Sequence, residues 1–356
     1  MEFEGQLAQA AARILGASSC TLSGLRRLSG GASMETWAFD ARHDEVSYPL
    51  ILRRRPPGIG DSQARHSLPL RAEGELFALA GRARMPVPHL YGELKTSDDL
   101  GEGLLLERLS GEALPQRIMR DSSYAQARES FAEECGTALG KLHSTPSKWW
   151  PSGLRDLDWS ADLMRLQQLA DHFANPSPVH QLAINWLKGQ PVPESPRVVC
   201  HGDFRLGNLL LDETGLRAVL DWELAHVGYA GEDIGYLCAN VWRFGGQQPV
   251  GGIGALDDFF QAYRNAGGCE LSAQEFRLWQ VYAALGWGYS CLIMLELHTS
   301  GEDPSMERAA VGRRLSESEI DILLLLDKDL ATQPSGTSDA LTNAVPPVIP
   351  SPEVNS

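Results

Sequence analysis

The first third of the chain alternates short apolar runs with glycines and charged turns, a pattern typical of β-strands. Only the opening stretch and one later segment show the apolar spacing of three to four residues that predicts a helix. Pro86 and Pro88 end the second of these helices, because proline cannot continue an α-helix. The predicted elements of this part are the helices 1–15 and 62–84 and the strands 25–28, 36–40, 48–53 and 103–106.

After Leu114 the apolar spacing becomes helical, as in the stripe from Phe131 to Leu142. The uncharged run 278–295 is long enough to raise the question of a membrane span, but it contains glycine, serine, glutamine and tyrosine. We interpret it as a buried core helix and expect no membrane association. The predicted elements are the helices 124–144, 158–175, 178–189, 254–266, 273–297 and 307–330 and the strands 198–200, 209–211 and 217–220.

A β-rich part followed by a mainly helical part predicts an α+β fold with two lobes. At 356 residues the chain is long enough to bury a core and still leave a cleft between lobes. We place the N-terminal lobe at residues 1–109 and the C-terminal lobe at residues 110–330. Residues 331–356 are rich in proline, serine and threonine and poor in charge, so we predict a disordered tail.

The chain carries 31 Lys and Arg against 46 Asp and Glu, which gives a net charge of −15. This balance argues against a nucleic-acid partner, because binding to a phosphate backbone requires a basic face. The six cysteines are scattered without a CxxC pair, and the opening sequence lacks the basic and apolar stretches of a secretory signal. We therefore expect reduced thiols and a cytoplasmic location, whereas nothing indicates the oligomeric state.

The segment VVCHGDFRLGNLLLDETGLRAVLDWE, residues 198–223, places oxygen ligands at the ends of predicted strands. Asp203 and Asn208 follow one strand, and a hairpin later another strand leads to Asp221. Phosphoryl transfer requires this combination, a carboxylate that orients the attacking hydroxyl and hard oxygen ligands for Mg²⁺. Arg205 adds a cation that can meet the γ-phosphate. Singly, these residues are common turn formers and helix caps, but the ordered set favours the functional interpretation.

This segment resembles the catalytic loop of the aminoglycoside phosphotransferase family, whose members share the two-lobed fold of protein kinases. LDWE lies where protein kinases carry DFG. The run is most similar to the kinase-like domain that stands alone in many bacterial proteins and is fused ahead of acyl-CoA dehydrogenases in animals. The resemblance covers about residues 20–300. It implies roles for the catalytic base Asp203, the magnesium ligands Asn208 and Asp221, and the phosphate-covering loop with Gly30, Gly31 and Ser33. Asp233 is expected, separately, to anchor the catalytic loop by hydrogen bonds and to take no part in the chemistry.

The resemblance also assigns a phosphate-binding cation to the end of the third strand. Arg53 is our choice, with Glu73 as its partner from the following helix and Glu75 as the alternative. Arg54 points to the opposite face of the strand. The alternative is that these arginines form a solvated basic cluster without a role in binding. The lobe connection, residues 107–109, would offer backbone groups of Glu107 and Leu109 to an adenine. The glycine loop lacks full GxGxxG spacing, so a plain hairpin turn is equally consistent.

We therefore expect an ATP- and Mg²⁺-dependent O-phosphotransferase that acts on a small-molecule hydroxyl. The resemblance favours a hydroxyacyl-CoA or hydroxy acid as acceptor; an aminoglycoside or amino alcohol is the alternative, because an acidic protein suits a polycation. A pseudokinase scaffold is a rival of another class, although both Asp203 and Asp221 are present. For the acceptor entrance we choose Trp242 and Arg243, against the alternative that both only pack. The preference for ATP or GTP is not determined.

Overall fold

The structure, a computed structural model, describes residues 2–28, 34–57, 68–174 and 177–327. The predicted phosphate loop with Gly30, Gly31 and Ser33 lies outside the described residues, as does the predicted tail. The elements of the N-terminal lobe are α1 Glu2–Leu15, β1 Thr21–Leu28, β2 Glu35–His43, β3 Val46–Arg55, α2 Leu70–Arg82, β4 Leu90–Glu93 and β5 Glu102–Glu107.

The C-terminal part is mainly helical. Its helices are α3 Pro115–Arg120, α4 Ala125–His143, α5 Trp159–His172, α6 Pro178–Lys188, α7 Ala230–Leu237, α8 Leu256–Asn265, α9 Ala273–Thr299, α10 Met306–Gly312 and α11 Leu315–Leu326. Its strands are β6 Arg155–Asp156, β7 Arg197–Cys200, β8 Leu209–Leu211, β9 Leu216–Val219 and β10 His226–Tyr229.

An antiparallel sheet of five strands, in the order β1-β2-β3-β5-β4, forms the N-terminal lobe. Successive side chains of a strand point to opposite faces, and β5 uses both faces. Leu105 packs in the cluster that joins the sheet to α1, whereas Leu104 and Leu106 pack in the main core with α2. The sheet is therefore covered by one helix on each side, and the predicted β-rich lobe is confirmed.

The C-terminal lobe is organised around α9, whose buried face packs against α5, α6 and α11. By length and composition α9 could cross a membrane, but 72% of its most apolar window is buried inside the protein. The interpretation of this run as a core helix is confirmed. A three-stranded sheet, β6-β10-β7, and the hairpin β8-β9 lie at the edge that faces the N-terminal lobe, and residues 198–223 run through them.

The structure contains elements that the sequence pattern did not predict. β4, β6 and β10 are two to four residues long and depend on pairing with other strands, which local periodicity does not register. The helices α3 and α7, of six and eight residues, were also not predicted. The single helix predicted at 307–330 is instead α10 and α11, because the chain breaks after Gly312, where it closely approaches Leu295 of α9.

Close packing of α4 on α8 depends on Gly136. A methyl group there would lie 2.3 Å from the Phe259 carbonyl oxygen and 3.0 Å from the Tyr263 amide nitrogen. We expect Gly136→Ala to destabilise the protein by about 1–3 kcal/mol, because backbone atoms must move apart. Gly286→Ala is the matched control: it is also within a helix but has no atom within 4 Å, so it should stabilise by about 0.4–1 kcal/mol. Urea denaturation of both variants checks this, and equal stabilities would contradict it.

Candidate active site

A cleft of about 500 Å³ lies between the five-stranded sheet and the hairpin β8-β9. Its walls are apolar at one end, with Ala38, Ile51 and Leu106 from the sheet facing Leu210 from the hairpin. The lining residues include six that the sequence reasoning selected for nucleotide or metal binding: Arg53, Glu73, Glu107, Leu109, Asn208 and Asp221. The structure therefore brings these six residues to one cavity.

The loop that follows β7 turns sharply at Gly202, which has φ +80°. A side chain at this position would lie 2.5 Å from the Leu224 carbonyl oxygen, so only glycine fits. Asp233 of α7 fixes this turn. Its two carboxylate oxygens accept hydrogen bonds from the amides of His201 at 2.7 Å and Gly202 at 2.9 Å. The predicted role of Asp233 as loop anchor is confirmed.

Asp233 is fully buried and has a second partner that the sequence reasoning did not assign. His143 of α4 lies 3.2 Å from the Asp233 carboxylate, and its other ring nitrogen lies 2.9 Å from the Tyr263 hydroxyl. Burial by itself would raise the pKa of Asp233, but the hydrogen bond and charge of His143 and the backbone amides lower it below its ordinary value. No local motif marks His143, since it lies 90 residues from Asp233 along the chain.

Asp203, the predicted base, is held from both sides of its carboxylate. Arg205 donates from Nε to Asp203 Oδ1 at 2.9 Å. Asn208 donates from Nδ2 to Asp203 Oδ2 and, at 3.0 Å, to the Asp203 carbonyl oxygen. The amide oxygen of Asn208 then remains for another ligand. In this structure Arg205 pairs with the carboxylate itself, whereas the sequence reasoning directed it at a phosphate.

Asp221 lies beside Asn208 because the hairpin β8-β9 brings them together. The Leu220 amide donates to the Asn208 carbonyl oxygen at 2.8 Å, one residue before Asp221. Asp221 has φ +62°, a left-handed conformation that is uncommon outside glycine. Such backbone strain is concentrated at functional sites. The structure therefore places the two predicted metal ligands next to each other, with Asp221 in a strained conformation.

Arg53 lies at the centre of three carboxylates on the opposite wall. Its guanidinium lies 3.1 Å from Glu73, 3.1 Å from Glu223 and 3.4 Å from Asp221. Glu73 is 2% exposed, and burial raises the pKa of its carboxyl to about 7, against the opposing charge of Arg53. Two more carboxylates than cations surround this point. Glu223 had no assigned role, although it is the last residue of the LDWE motif.

The neighbours of Arg53 pair elsewhere. Arg54 lies 2.7 Å from Glu35 and also donates to the Leu100 carbonyl oxygen, while Arg55 lies 3.4 Å from Glu102. Because β3 alternates its side chains, Arg54 points away from the cleft. Of these three arginines, Arg53 is the one that lines the cleft.

The lobe connection offers fewer backbone groups than we expected. The amides of Glu107 and Arg108 already donate to the carbonyl oxygens of His89 at 2.8 Å and Pro49 at 2.9 Å. The Leu109 amide makes none of the backbone hydrogen bonds found among the described residues. Of these three amides, that of Leu109 is therefore the one available to a ligand in the cleft.

The two residues chosen for the acceptor entrance have different environments. Trp242 is 7% exposed and lies beneath Arg205, whose guanidinium carbon is 4.4 Å from the ring centre. Arg243 is fully buried and donates to the Cys238 carbonyl oxygen at 2.8 Å. The prediction that Arg243 lies at an entrance is wrong, because the turn Asn240–Arg243 directs its side chain into the core.

Tyr236 is a further residue beside the base that the sequence reasoning missed. Burial raises the pKa of its hydroxyl well above the ordinary value, and the adjacent Asp203 carboxylate adds to that effect. Tyr236 lies one helical turn after Asp233 in α7, and its ring centre is 5.5 Å from that of Trp242. The sequence signal that could have identified Tyr236 is its position three residues after the loop anchor Asp233 in the same helix.

Comparison with known families gives a match over most of the chain. The model of a family described as the phosphotransferase enzyme family, APH, matches residues 24–282. Acyl-CoA dehydrogenase family member 10 of Mus musculus is 26% identical over 236 residues, in an alignment that covers 61% of this chain and 21% of that protein. The chain thus matches about a fifth of the length of this relative. The family match includes residues 198–223, the segment that carries the resemblance, and the resemblance is confirmed.

Solved structures agree with this match. A protein from Ralstonia eutropha, named as an aminoglycoside phosphotransferase, has a TM-score of 0.70 at 18% identity, over 89% of this chain and 96% of that chain. The GDP complex of aminoglycoside 2'-phosphotransferase-IIIa has a TM-score of 0.60 at 14% identity, over 89% of this chain and 99% of that chain. At these identities the likeness shows the fold, and the predicted α+β, two-lobed, protein-kinase-like fold is confirmed.

Arg53 is the cation whose removal should affect the cleft most. We expect Arg53→Ala to lower kcat/KM for ATP by about ten- to a hundredfold, because a charge-assisted phosphate contact is lost. Its melting temperature should also fall, since buried Glu73 loses its partner. Arg54→Ala is the matched control, because Arg54 pairs with Glu35 on the other face. Steady-state kinetics with varied ATP tests this; a larger kinetic defect in Arg54→Ala would contradict it.

Proposed function

The chain belongs to the phosphotransferase enzyme family, and from this premise we propose that it transfers the γ-phosphoryl group of ATP to a small-molecule hydroxyl. One observation carries the proposal. Asp203, Asn208 and Asp221 converge at the edge of the cleft, and Arg53 faces them from the sheet. A positioned carboxylate, oxygen ligands and a phosphate-binding cation are the parts that phosphoryl transfer requires.

The cleft suits a purine nucleotide. Its apolar walls, formed by Ala38, Ile51 and Leu106 on one side and Leu210 on the other, can sandwich an aromatic base. The Leu109 amide would donate to the edge of that base, and Arg53 would contact the phosphates. The GDP complex of the aminoglycoside phosphotransferase relative supports a nucleotide in this fold.

Asp203 acts on the acceptor in the proposed reaction. Its carboxylate accepts a hydrogen bond from the acceptor hydroxyl and orients that oxygen for in-line attack on the γ-phosphorus. The new oxygen–phosphorus bond forms as the bond to the ADP oxygen breaks, and the hydroxyl proton passes to Asp203. Arg205 and Asn208 keep the carboxylate in one orientation, because each donates to one of its oxygens.

The residues at the cleft edge fit a magnesium ion. Asn208 keeps its amide oxygen free, Asp221 and Glu223 are both partly exposed, and carboxylates outnumber the guanidinium at this point. Hard oxygen donors of this kind are the ligands that Mg²⁺ prefers. Asn208 and Asp221 would hold the ion, which supplies neutralisation of phosphate charge when bound.

An alternating row of arginine and tryptophan leads away from Asp203 on its other side. Arg205 lies over Trp242 at 4.4 Å, the rings of Trp242 and Trp287 are 5.1 Å apart, and Arg314 lies over Trp287 at 5.0 Å. We call these four residues the Arg–Trp row. Within the described residues, the indole N–H groups of Trp242 and Trp287 are buried and have no acceptor. Both rings pack in a buried core cluster, so the groups that the row offers to an acceptor are the partly exposed guanidiniums of Arg205 and Arg314 at its two ends.

The Arg–Trp row favours an acyl acceptor over an aminoglycoside. Two partly exposed arginines suit a molecule with carbonyl or carboxylate oxygens, whereas a polycationic sugar would meet like charges. We therefore propose a hydroxyacyl-CoA or hydroxy acid as acceptor. The similarity to a segment of an acyl-CoA dehydrogenase family member supports the same class.

Acceptor-dependent ADP release tests the proposal. Hydroxy acids, their CoA esters, amino alcohols and aminoglycosides are each supplied with ATP and Mg²⁺, and the first two classes should stimulate release. Release with aminoglycosides alone would overturn the acceptor class and leave the phosphotransferase assignment intact. Binding of Mg·ATP without release for any acceptor would instead favour a pseudokinase scaffold.

Asp203→Asn should abolish acceptor-dependent ADP release while Mg·ATP affinity stays within about threefold, because the base is needed only by the acceptor hydroxyl. Asp212→Asn is the matched control, since Asp212 closes the β8-β9 turn by accepting from the amides of Thr214 and Gly215. Activity assays and calorimetric titration with ATP measure the two quantities. Near wild-type turnover in Asp203→Asn would show that the catalytic loop is wrongly assigned.

Arg314→Ala tests the Arg–Trp row, because it removes a partly exposed guanidinium at one end of the row. We expect the KM for an acyl acceptor to rise by about tenfold, as for one lost charge-assisted contact of roughly 1.4 kcal/mol, with KM for ATP unchanged. Arg277→Ala is the control, since Arg277 stacks on Trp186 outside the row. An unchanged acceptor KM in Arg314→Ala would remove this residue from the acceptor site.

A further inference from the structure

One arginine that lines the cleft has no part in the proposed function. Arg26 of β1 belongs to the same cleft lining as Arg53 and Arg108. Arg53 contacts three carboxylates, and Arg108 pairs with Asp40 at 2.7 Å. Arg26 is exposed, and it makes no ion pair and no side-chain hydrogen bond with any other residue that the structure describes. Among these three arginines, Arg26 is therefore the one whose guanidinium is available to a ligand.

The register of the sheet places Arg26 at the end of a row of apolar side chains. Across four strands, the paired residues are Arg26, Ala38, Ile51 and Leu106. Residues that lie opposite each other on neighbouring strands project from the same face of the sheet, and all four line the cleft. We call them the Arg26 row. Strands are about 4.8 Å apart, so the row extends about 14 Å from β5 to the edge strand β1.

A β-bulge turns Arg26 towards the cleft. Ser23 and Arg26 are three residues apart, whereas their partners on β2 are two residues apart, so β1 contains one extra residue here. Gly24 has φ +64°, a left-handed conformation that glycine adopts without strain. In a regular strand Leu25 would lie opposite Ala38, and Arg26 would face α1. With the bulge Leu25 packs on the α1 side instead, and a charged residue takes its position in the cleft.

The shape of a purine nucleotide determines which part of it meets Arg26. The Leu109 amide, which is available to the edge of a base, follows β5 at the far end of the Arg26 row. A purine bears this hydrogen-bonding edge on its six-membered ring and its sugar on the five-membered ring. A base bonded to Leu109 therefore directs its ribose away from β5, towards β1 and Arg26.

The phosphates leave the ribose in another direction. Thr36 pairs with Leu28 on one side and with Arg53 on the other, and these three residues lie two positions further along the same strands than the Arg26 row. Two residues of a strand span about 7 Å, so Arg53 is offset from the Arg26 row by this distance. Phosphates that reach Arg53 therefore leave the row. The ribose remains as the part of the nucleotide nearest to Arg26.

From this arrangement we propose that Arg26 binds the ribose, and that the protein consequently prefers a ribonucleotide to a deoxyribonucleotide as phosphoryl donor. The inference rests on the proposed function, because it requires a nucleotide in the cleft. The guanidinium carries five N–H donors in a planar fork, and the ribose hydroxyl oxygens accept them. Because Arg26 is exposed in the free protein, ordering its side chain opposes binding and makes the net effect moderate.

Calorimetric titration of the full-length protein in the presence of Mg²⁺ tests this proposal. ADP, 2'-deoxy-ADP and 3'-deoxy-ADP are each titrated into the wild-type protein and into Arg26→Ala. We expect Arg26→Ala to weaken ADP binding by about three- to tenfold, as for one hydrogen bond offset by side-chain ordering. At least one deoxy analogue should bind the wild-type protein more weakly by a similar factor. Arg26→Ala should bind that analogue and ADP equally, because the same contact is lost only once.

Arg27→Ala is the matched control. Arg27 is the next residue of β1, but it lies on the other face of the sheet, where it pairs with Glu35 at 3.5 Å. Both substitutions remove one positive charge from the same strand, so a general electrostatic effect on the phosphates would be similar in the two variants. We expect Arg27→Ala to bind ADP within about twofold of the wild-type affinity, because its ion pair is exposed and lies outside the cleft.

The proposal is overturned by either of two results. One is an ADP affinity in Arg26→Ala that equals that of Arg27→Ala. The other is a loss of affinity for the deoxy analogues that is absent from the wild-type protein or is the same in the wild-type protein and Arg26→Ala, since Arg26 would then not contact a ribose hydroxyl. Both results leave the proposed function standing. Absence of ADP binding by the wild-type protein would contradict the proposed function and this inference with it, so the two failures are distinguishable.

Discussion

The guanidinium of Arg53 is the contact on which the geometry of the cleft depends. It projects from β3 of the N-terminal lobe, pairs with Glu73 of α2, and reaches Asp221 and Glu223 of the C-terminal lobe. One cation thereby joins the two lobes at the cleft. It cannot balance three carboxylates, and desolvated like charges repel strongly. The cleft therefore has an excess of carboxylates over cations at this point, which is where the metal ion that accompanies a nucleotide is proposed to bind.

The catalytic loop depends on a second buried charge. Asp233 satisfies two backbone amides that would otherwise be buried without partners, and leaving one such group unpaired costs about 1–3 kcal/mol. This carboxylate holds the bend at Gly202, and the bend presents Asp203 to the cleft.

The acceptor side shows how adjacent residues acquire different roles. Trp242 and Arg243 are consecutive, and both are in the turn Asn240–Arg243. The turn directs the Trp242 ring to Arg205 of the catalytic loop. It directs Arg243 to the Cys238 carbonyl oxygen in the core. Trp287 and Arg314 join Trp242 from α9 and from the junction before α11. The Arg–Trp row is assembled from four separate parts of the chain, so no continuous motif marks it.

By itself the sequence determined the fold class, the order of most elements and the segment with Asp203, Asn208 and Asp221. These follow from local periodicity and from spacing within 19 residues of chain. It also indicated that Arg53, and not Arg54, faces the cleft, since strand side chains alternate. Only the tertiary structure decided the short strand β10, the partners His143 and Glu223 and the burial of Arg243. These depend on which distant segments meet, and such contacts leave no periodic trace in the local sequence.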